Sequence, residues 1–306
     1  MPSTRPDPRA KAIMETRIKA NICGFGAILL WSISVAFIRS VAESFGAAGG
    51  AALAYSLAAL LLLARSRSLN LKDLSPIYLF GGGGLFVAYN LLFSQAVGLS
   101  SDGQQAIEVA LINYLWPCFI ILLAVPMVGL RPNWLIVPGL ALSFFGVCWC
   151  LSEGKLDIAT FSANVQKNPL PFILASVGAV FWGIYCNLAK LYGKNSDCIG
   201  LFFLIIAAAL WIKFLFSGET LPLTGPRPIL DLIVSGTIYA SSYALWEAGV
   251  QRGNMTLLAA SSYFIPVLSI LFASLWLSVQ PPQVFWYGVA MVVAGSLICW
   301  AATKNA

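Results

Sequence analysis

The sequence predicts an all-α integral membrane protein of ten transmembrane helices, built as two inverted five-helix repeats. Three observations carry that prediction. The composition is 59% hydrophobic and 10% charged, with a mean hydropathy of +0.84. The apolar residues fall into charge-free runs of membrane-spanning length. One stretch, "NYLWPCFIIL" around Pro117, is echoed by "SYFIPVLSIL" around Pro266. An ordinary soluble domain carries about 25% charged residues. A chain this apolar cannot cover a water-facing surface, so lipid is the solvent for most of it.

The elements follow in order. Residues 1–19 form a basic cytoplasmic segment, and the uncharged run 20–38 is long enough to cross about 30 Å of hydrocarbon. A signal peptide would have a shorter apolar core and a small-residue cleavage site, so this run is read as a retained helix. Runs 44–64, 74–101, 109–130 and 132–152 complete a first repeat over 20–152. The hydrophilic stretch at 153–168 is an external linker. The second repeat, 169–306, opens with the run at 168–189 and continues with two shorter ones, 198–212 and 232–246, whose ends lie near Lys213 and Asp231. A final uncharged stretch from 253 to 303 is too long for one helix and divides in two at "SVQPPQ", where Pro281 and Pro282 stop a helix.

With the N-terminus inside, only Arg39, Lys155, Lys167, Lys213 and Arg227 of the 18 basic residues fall on the outer side. The rest, among them Arg5, Arg67, Lys72, Lys194 and Lys304, lie inside, which puts both termini in the cytoplasm. The net charge of +6 is therefore a topology signal and not a nucleic-acid footprint.

The repeat has a consistent register. Tyr114 matches Tyr263, Pro117 matches Pro266, Pro132 matches Pro281, Gly139 matches Gly288, Gly146 matches Gly295 and Cys150 matches Cys299, all at one offset of 149. Trp31 matches Trp182 at an offset of 151, within "WSISVAFIR" and "WGIYCNLAK". Five spans per copy is an odd number, so the second copy enters from the opposite side. Inverted halves with a site at their interface are a recurrent plan of secondary transporters.

No histidine is present, and the seven cysteines sit mostly in apolar runs as space-filling thiols. That chemistry points to no metal site, no cofactor and no enzyme. Pro117 and Pro266, in the fourth and ninth spans, kink their helices and free the carbonyls of Asn113 and Ser262. These prolines are read as kink or gating positions. Asn90, Asn113 and Asn187 are polar at membrane depth, where each needs a partner. Trp31, Trp116 and Trp182 lie deep in their runs, and with Tyr89, Tyr114, Tyr185, Tyr239, Tyr243 and Tyr263 they are candidates for the wall of an amphipathic cavity. Packing between helices is the competing explanation for any one of these rings. Glu108, inside the fourth span, is the candidate for proton coupling, against the plainer reading of an interfacial carboxylate reaching water. Glu247 near Arg252 reads as a topological or gating charge.

Ten helices in a doubled five-helix unit, with prolines in the fourth and ninth, resemble the drug/metabolite transporter superfamily and its EamA-like members. "INYLWPCFIILLAV" and "GFGAILLWS" are similar to the aromatic amino acid exporters of that group, the YddG type. The resemblance implies a bacterial inner-membrane exporter of phenylalanine, tyrosine and tryptophan. It also implies a basket-like bundle around a central cavity, with Trp31, Tyr114, Trp116 and Trp182 as cavity residues. The second-half "YFIP" lacks the tryptophan of "YLWP", so the site is expected to be asymmetric. The alternatives are export of other amino acids or cationic drugs, and a non-transporting membrane assembly protein. The expected partners are a small-molecule substrate and the lipid bilayer. The sequence sets no oligomeric state, and a monomer is the simplest case.

Overall fold

The computed structural model describes residues 8–66, 74–131, 133–193, 196–222, 225–277 and 280–303. Pro132, Arg5, Arg67, Lys72, Lys194 and Lys304, singled out above, lie outside the described residues. The described chain is helical throughout: α1 (Pro8–Phe45), α2 (Ala47–Arg65), a π-helical turn (Ile77–Gly82) running into α3 (Gly83–Gly98), α4 (Gly103–Asn113), α5 (Trp116–Val128), α6 (Ile136–Leu151) and α7 (Ile158–Lys167). Then come α8 (Leu170–Tyr192), α9 (Ile199–Ser217), α10 (Pro226–Arg252), α11 (Met255–Ser261), α12 (Phe264–Leu277) and α13 (Gln283–Thr303). Seven spans are long and apolar enough to cross a membrane, or nine if each of two bent helix pairs is one span, and α6 is a shorter apolar helix.

Several boundaries differ from expectation for physical reasons. Of the two proline-bearing spans, Gly103–Val128 stays one span with a local turn, while the later one is a bent pair, as is α1, bent by 44° between Ser34 and Phe37. Two turn residues, Tyr114 and Leu115, separate α4 from α5, and α11 and α12 meet at an angle of 42°. A proline in the first turn after each break has no N–H to offer, so the helix restarts there without loss. The expected linker contains α7, started by Asp157, whose carboxylate accepts from the amides of Ala159 and Thr160 at 3.0 Å each. Those amides and the Thr160 hydroxyl hold the Asp157 carboxyl below the usual carboxylate range. Lys213 and Asp231 do lie near helix ends, in the last two turns of α9 and the second turn of α10, and each charge is met: Lys213 Nζ donates to Gln95 at 2.8 Å and Ser40 Oγ donates to Asp231 at 2.5 Å. At the start of α4 the Asp102 side chain caps the Gln105 amide at 2.8 Å, and Gln105 Oε1 accepts from Ser101 N at 2.7 Å. Gln105 therefore completes the cap.

Helix partners come in exchanged sets. α1 packs on α10 and α12, as α8 packs on α3 and α5, while α2 pairs with α9 and α6 with α13. The last two pairs are antiparallel. Asn133 bonds to Ala302 at one end of the α6–α13 crossing, and Trp149 Nε1 donates to Val284 O at the other (3.1 Å). Similarly Gly49 lies by Phe214, Ser56 accepts from Trp211 at 2.9 Å, and Gly200 lies by Leu63.

The glycine pairs found by the internal register meet at the α6–α13 crossing. A Cβ on Gly295 would lie 2.6 Å from the Gly139 carbonyl, and one on Gly146 would lie 2.7 Å from that of Gly288. Backbone sits where a side chain would be, so only glycine permits this approach; small residues at such contacts are how helices pack in lipid. All seven cysteines are free thiols.

Candidate functional site

The break at Tyr114–Leu115 brings the YLWP segment to the middle of the bundle, where α1, α3, α8 and α10 converge. Trp182 on α8 is the hub. Its ring centroid lies 4.7 Å from Tyr89, 6.0 Å from Tyr243, 6.3 Å from Trp116 and 6.5 Å from Trp31. Trp31 and Trp182, matched across the two halves by sequence, thus face each other in space. Trp31 lies 5.3 Å from Tyr243, and Tyr114 sits in the break beside Tyr89. The long apolar spans fix these rings because residues three and four apart share a helix face.

Polar groups are threaded through the rings. Asn90 Oδ1 accepts from the Tyr55 hydroxyl at 2.9 Å and from that of Tyr243 at 3.4 Å, while its amide donates to Phe86 O at 2.8 Å. Asn113 ends α4 at 6% exposure, and its Oδ1 has no hydrogen-bond partner among the described residues. A buried acceptor left open is costly unless a ligand or water meets it. Trp31, Tyr55, Asn90, Tyr114, Tyr239 and Tyr243 are only partly buried. Tyr239 touches the ring of Tyr55 at 5.0 Å and also lines a small crevice of about 60 Å³ with Val41, Ala54 and Ser235, between α1, α2 and α10.

The remaining candidates, Tyr185 apart, lie elsewhere. Tyr263 is fully buried, with its hydroxyl 2.8 Å from Cys118 Sγ, and the freed Ser262 carbonyl accepts locally from Ile265 N at 3.0 Å. Asn187 is fully buried and staples α8 to α5, its amide donating to Ile120 O at 3.0 Å and Gly183 O at 2.8 Å. Pro117 and Pro266 stand in the first turns of α5 and α12 and contribute no polar group. Glu108 accepts from Asn164 Nδ2 at 3.0 Å on both oxygens, so its carboxylate ties α7 to α4 at the edge of the bundle. Tyr185 belongs to the ring cluster, 5.2 Å from Trp182 and 5.0 Å from Phe86, and its hydroxyl reaches out of it to Glu247.

Glu247 forms the other notable polar centre. It is 5% exposed, and both Tyr78 and Tyr185 donate their hydroxyls to its carboxylate. Gln251 Nε2 donates to it as well, at 2.6 Å. This end of the bundle is closed further by Lys190 Nζ donating to Gly253 O at 2.8 Å and by Asn254 N donating to Asn21 Oδ1 at 2.7 Å. A Cβ on Gly249 would lie 3.0 Å from Gly24 Cα, which leaves no gap there between α1 and α10.

Sequence reasoning missed Tyr55, Phe86 and Trp246 as members of the ring cluster. Trp246 lies 5.1 Å from Trp31 and 5.6 Å from Trp116. Its position three residues after Tyr243, on one helix face, was the available signal. Nothing in the sequence pairs Tyr78 or Tyr185 with Glu247, since the three come from separate elements. Among the described residues no group of histidine, cysteine or carboxylate side chains is disposed to hold a metal.

The chain is 39% identical over 291 residues to the aromatic amino acid exporter YddG of Salmonella typhimurium (strain 14028s / SGSC 2262), covering 95% of this chain and 99% of that protein. The protein of the same name from Escherichia coli (strain K12) is also 39% identical, with the same coverage. A solved crystal structure at 24% identity superposes with a TM-score of 0.79 over 95% of this chain and 100% of its own, which speaks to the fold alone. The EamA-like transporter family model matches residues 18–152 and 170–301, and the chain therefore belongs to the EamA-like transporter family of membrane proteins.

Proposed function

We infer that the protein is a secondary exporter of phenylalanine, tyrosine, tryptophan and similar small amphiphiles, working by alternating access between two inverted five-helix halves. The observation that carries this reading is the ring cluster itself. It draws Trp31, Tyr89, Asn90, Asn113, Tyr114 and Trp116 from the first half and Trp182, Tyr239 and Tyr243 from the second around an unfilled acceptor at Asn113. An aromatic side chain finds edge and face partners there. Its ammonium group finds the Asn113 oxygen and the end of α4, where helix carbonyls point. The name of the 39%-identical relatives supports the same substrate class.

Counting each bent pair as one span and adding α6 gives ten crossings, with α7 outside them. The halves are 20–152 and 169–306, joined by 153–168, close to the two stretches matched by the family. Antiparallel packing of α2 with α9 and of α6 with α13 supports inversion, because each pair joins equivalent members of the two halves. The charge asymmetry supports an inner-membrane protein with both termini in the cytoplasm. In that orientation the Glu247 end faces the cytoplasm and is closed, and the crevice beside Tyr239 faces outward.

The test is counterflow of labelled phenylalanine into proteoliposomes preloaded with unlabelled phenylalanine. Uptake above that of protein-free vesicles, competed by tyrosine and tryptophan and poorly by threonine, is expected. No uptake at all, or equal competition by threonine, would remove the aromatic reading.

A further inference from the structure

We propose that Glu247 is a proton-operated latch that holds the Tyr78–Tyr185 end of the bundle shut and that a proton must bind its carboxylate before this end opens. Three donors from three elements converge on one carboxylate. Tyr78 in the π-helical turn and Gln251 on α10 share Oε1, and Tyr185 on α8 takes Oε2. Tyr78 and Tyr185 are fully buried, so their hydroxyls have no water to turn to. An ionised carboxylate offers acceptor sites to all three.

A proton on either oxygen converts that oxygen into a donor facing a donor. Protonated on Oε2, the carboxyl must point its O–H at Tyr185, whose own O–H loses its acceptor. Protonated on Oε1, its O–H meets the Tyr78 hydroxyl, which accepts it only by losing the acceptor of its own O–H, or the Gln251 NH2, which as placed cannot accept. In each case a buried donor is left unmet, and the contact joining the π-helical turn, α8 and α10 weakens.

The other charges around the carboxylate leave it this freedom. Lys190 on α8, the cation on the neighbouring helix turn, donates to the Gln251 and Gly253 carbonyls and lies within the field of Arg17 of α1. Asp197, just before α9, acts on Glu247 with like charge, and the thiols of Cys186 on α8 and Cys198 before α9 also face it. Arg252 follows on α10 and is exposed. Among the described residues no cation appears as a hydrogen-bond partner of Glu247 itself.

The inference rests on the exporter reading for its consequence: a proton that opens the cytoplasmic end and leaves there moves opposite to the exported amino acid. Its test does not. Cys186 is fully buried beside this latch, so its thiol reports opening without any substrate. The full chain is prepared with Cys186 kept and the other six cysteines replaced by alanine, in nanodiscs that expose both faces. A bulky hydrophilic maleimide is added at mildly alkaline and mildly acidic pH. Rates are divided by those of the detergent-unfolded protein at the same pH, which removes the chemistry of the thiol itself.

The relative rate is expected to rise several-fold on acidification. In Glu247→Gln it is expected to be equal at both pH values, because an amide does not titrate in this range. In a Tyr78→Phe, Tyr185→Phe double variant, which keeps the carboxylate and removes its phenol donors, labelling is expected to be fast at both. A parent rate that does not change with pH, or the same rise in Glu247→Gln, overturns the proposal. Absence of phenylalanine counterflow together with the expected labelling pattern would instead count against the substrate and leave the latch standing.

Discussion

Replacing Trp116 with alanine is the sharpest perturbation of the candidate site. Trp116 is 5% exposed and stands edge-on to Trp182 at 6.3 Å and 82° and to Trp246 at 5.6 Å and 90°. A substrate ring lodged in this cluster uses the same edges and faces, and one well-placed aromatic pair is worth about 0.5–1.5 kcal/mol beyond its buried area. Loss of one wall therefore raises the half-saturation for phenylalanine counterflow roughly 2- to 12-fold, at 1.4 kcal/mol per factor of ten. Truncation also costs stability, about 3–5 kcal/mol for a buried tryptophan. Trp116→Phe separates the two effects, since it keeps a ring at the wall and loses less volume. The assay is labelled phenylalanine counterflow at matched amounts of folded protein, judged by monodisperse elution. Wild-type half-saturation in Trp116→Ala would refute the assignment of Trp116 to the substrate wall.

Other consequences can be measured on the same preparation. Gly295→Val at the α6–α13 crossing drives methyl groups into the Gly139 carbonyl and should cost about 1–3 kcal/mol, read as a lowered unfolding midpoint in detergent. An unshifted midpoint would show that the crossing is looser than described. Asn187→Leu removes two donors from buried carbonyls and should lower stability by about 1–3 kcal/mol without changing the preference for aromatic over aliphatic amino acids. Asn164→Ala, which frees the Glu108 carboxylate, should speed proteolysis within α7 while counterflow stays near wild type. Loss of counterflow in that variant would return Glu108 to the transport machinery.

Much of this fold is legible in the sequence because lipid punishes charge uniformly along a span. Charge-free runs therefore mark helices, and the two YxxP segments mark both breaks. The glycines of the 149-residue register are legible for a similar reason: a close backbone crossing leaves room for no other residue, so Gly139, Gly146, Gly288 and Gly295 recur in both halves. What the linear pattern does not carry is direction in three dimensions. Tyr185 and Trp182 stand three residues apart on α8 with their rings 5.2 Å apart, yet only the Tyr185 hydroxyl reaches Glu247. Tyr263 repeats Tyr114 in sequence but is sealed against Cys118, because its neighbour is α5 rather than open space. The two carboxylates exchange importance likewise. Glu108 stands out as an acid inside an apolar run, but the helix that occupies it, α7, hides in a stretch that reads as linker. Lys213 and Asp231 shortened the predicted seventh and eighth spans because their partners, Gln95 and Ser40, lie on distant segments.

Sided labelling of matched helix ends tests the inverted arrangement most directly. α2 and α9 are both 19-residue helices, and Arg65 and Ser217 are the exposed last residues of each. With single cysteines at these positions in a cysteine-free background, an impermeant maleimide applied to intact cells should label Ser217→Cys readily and Arg65→Cys only after the membrane is opened. Labelling of both from the same side would mean that the two halves run in the same direction, and the account would fall.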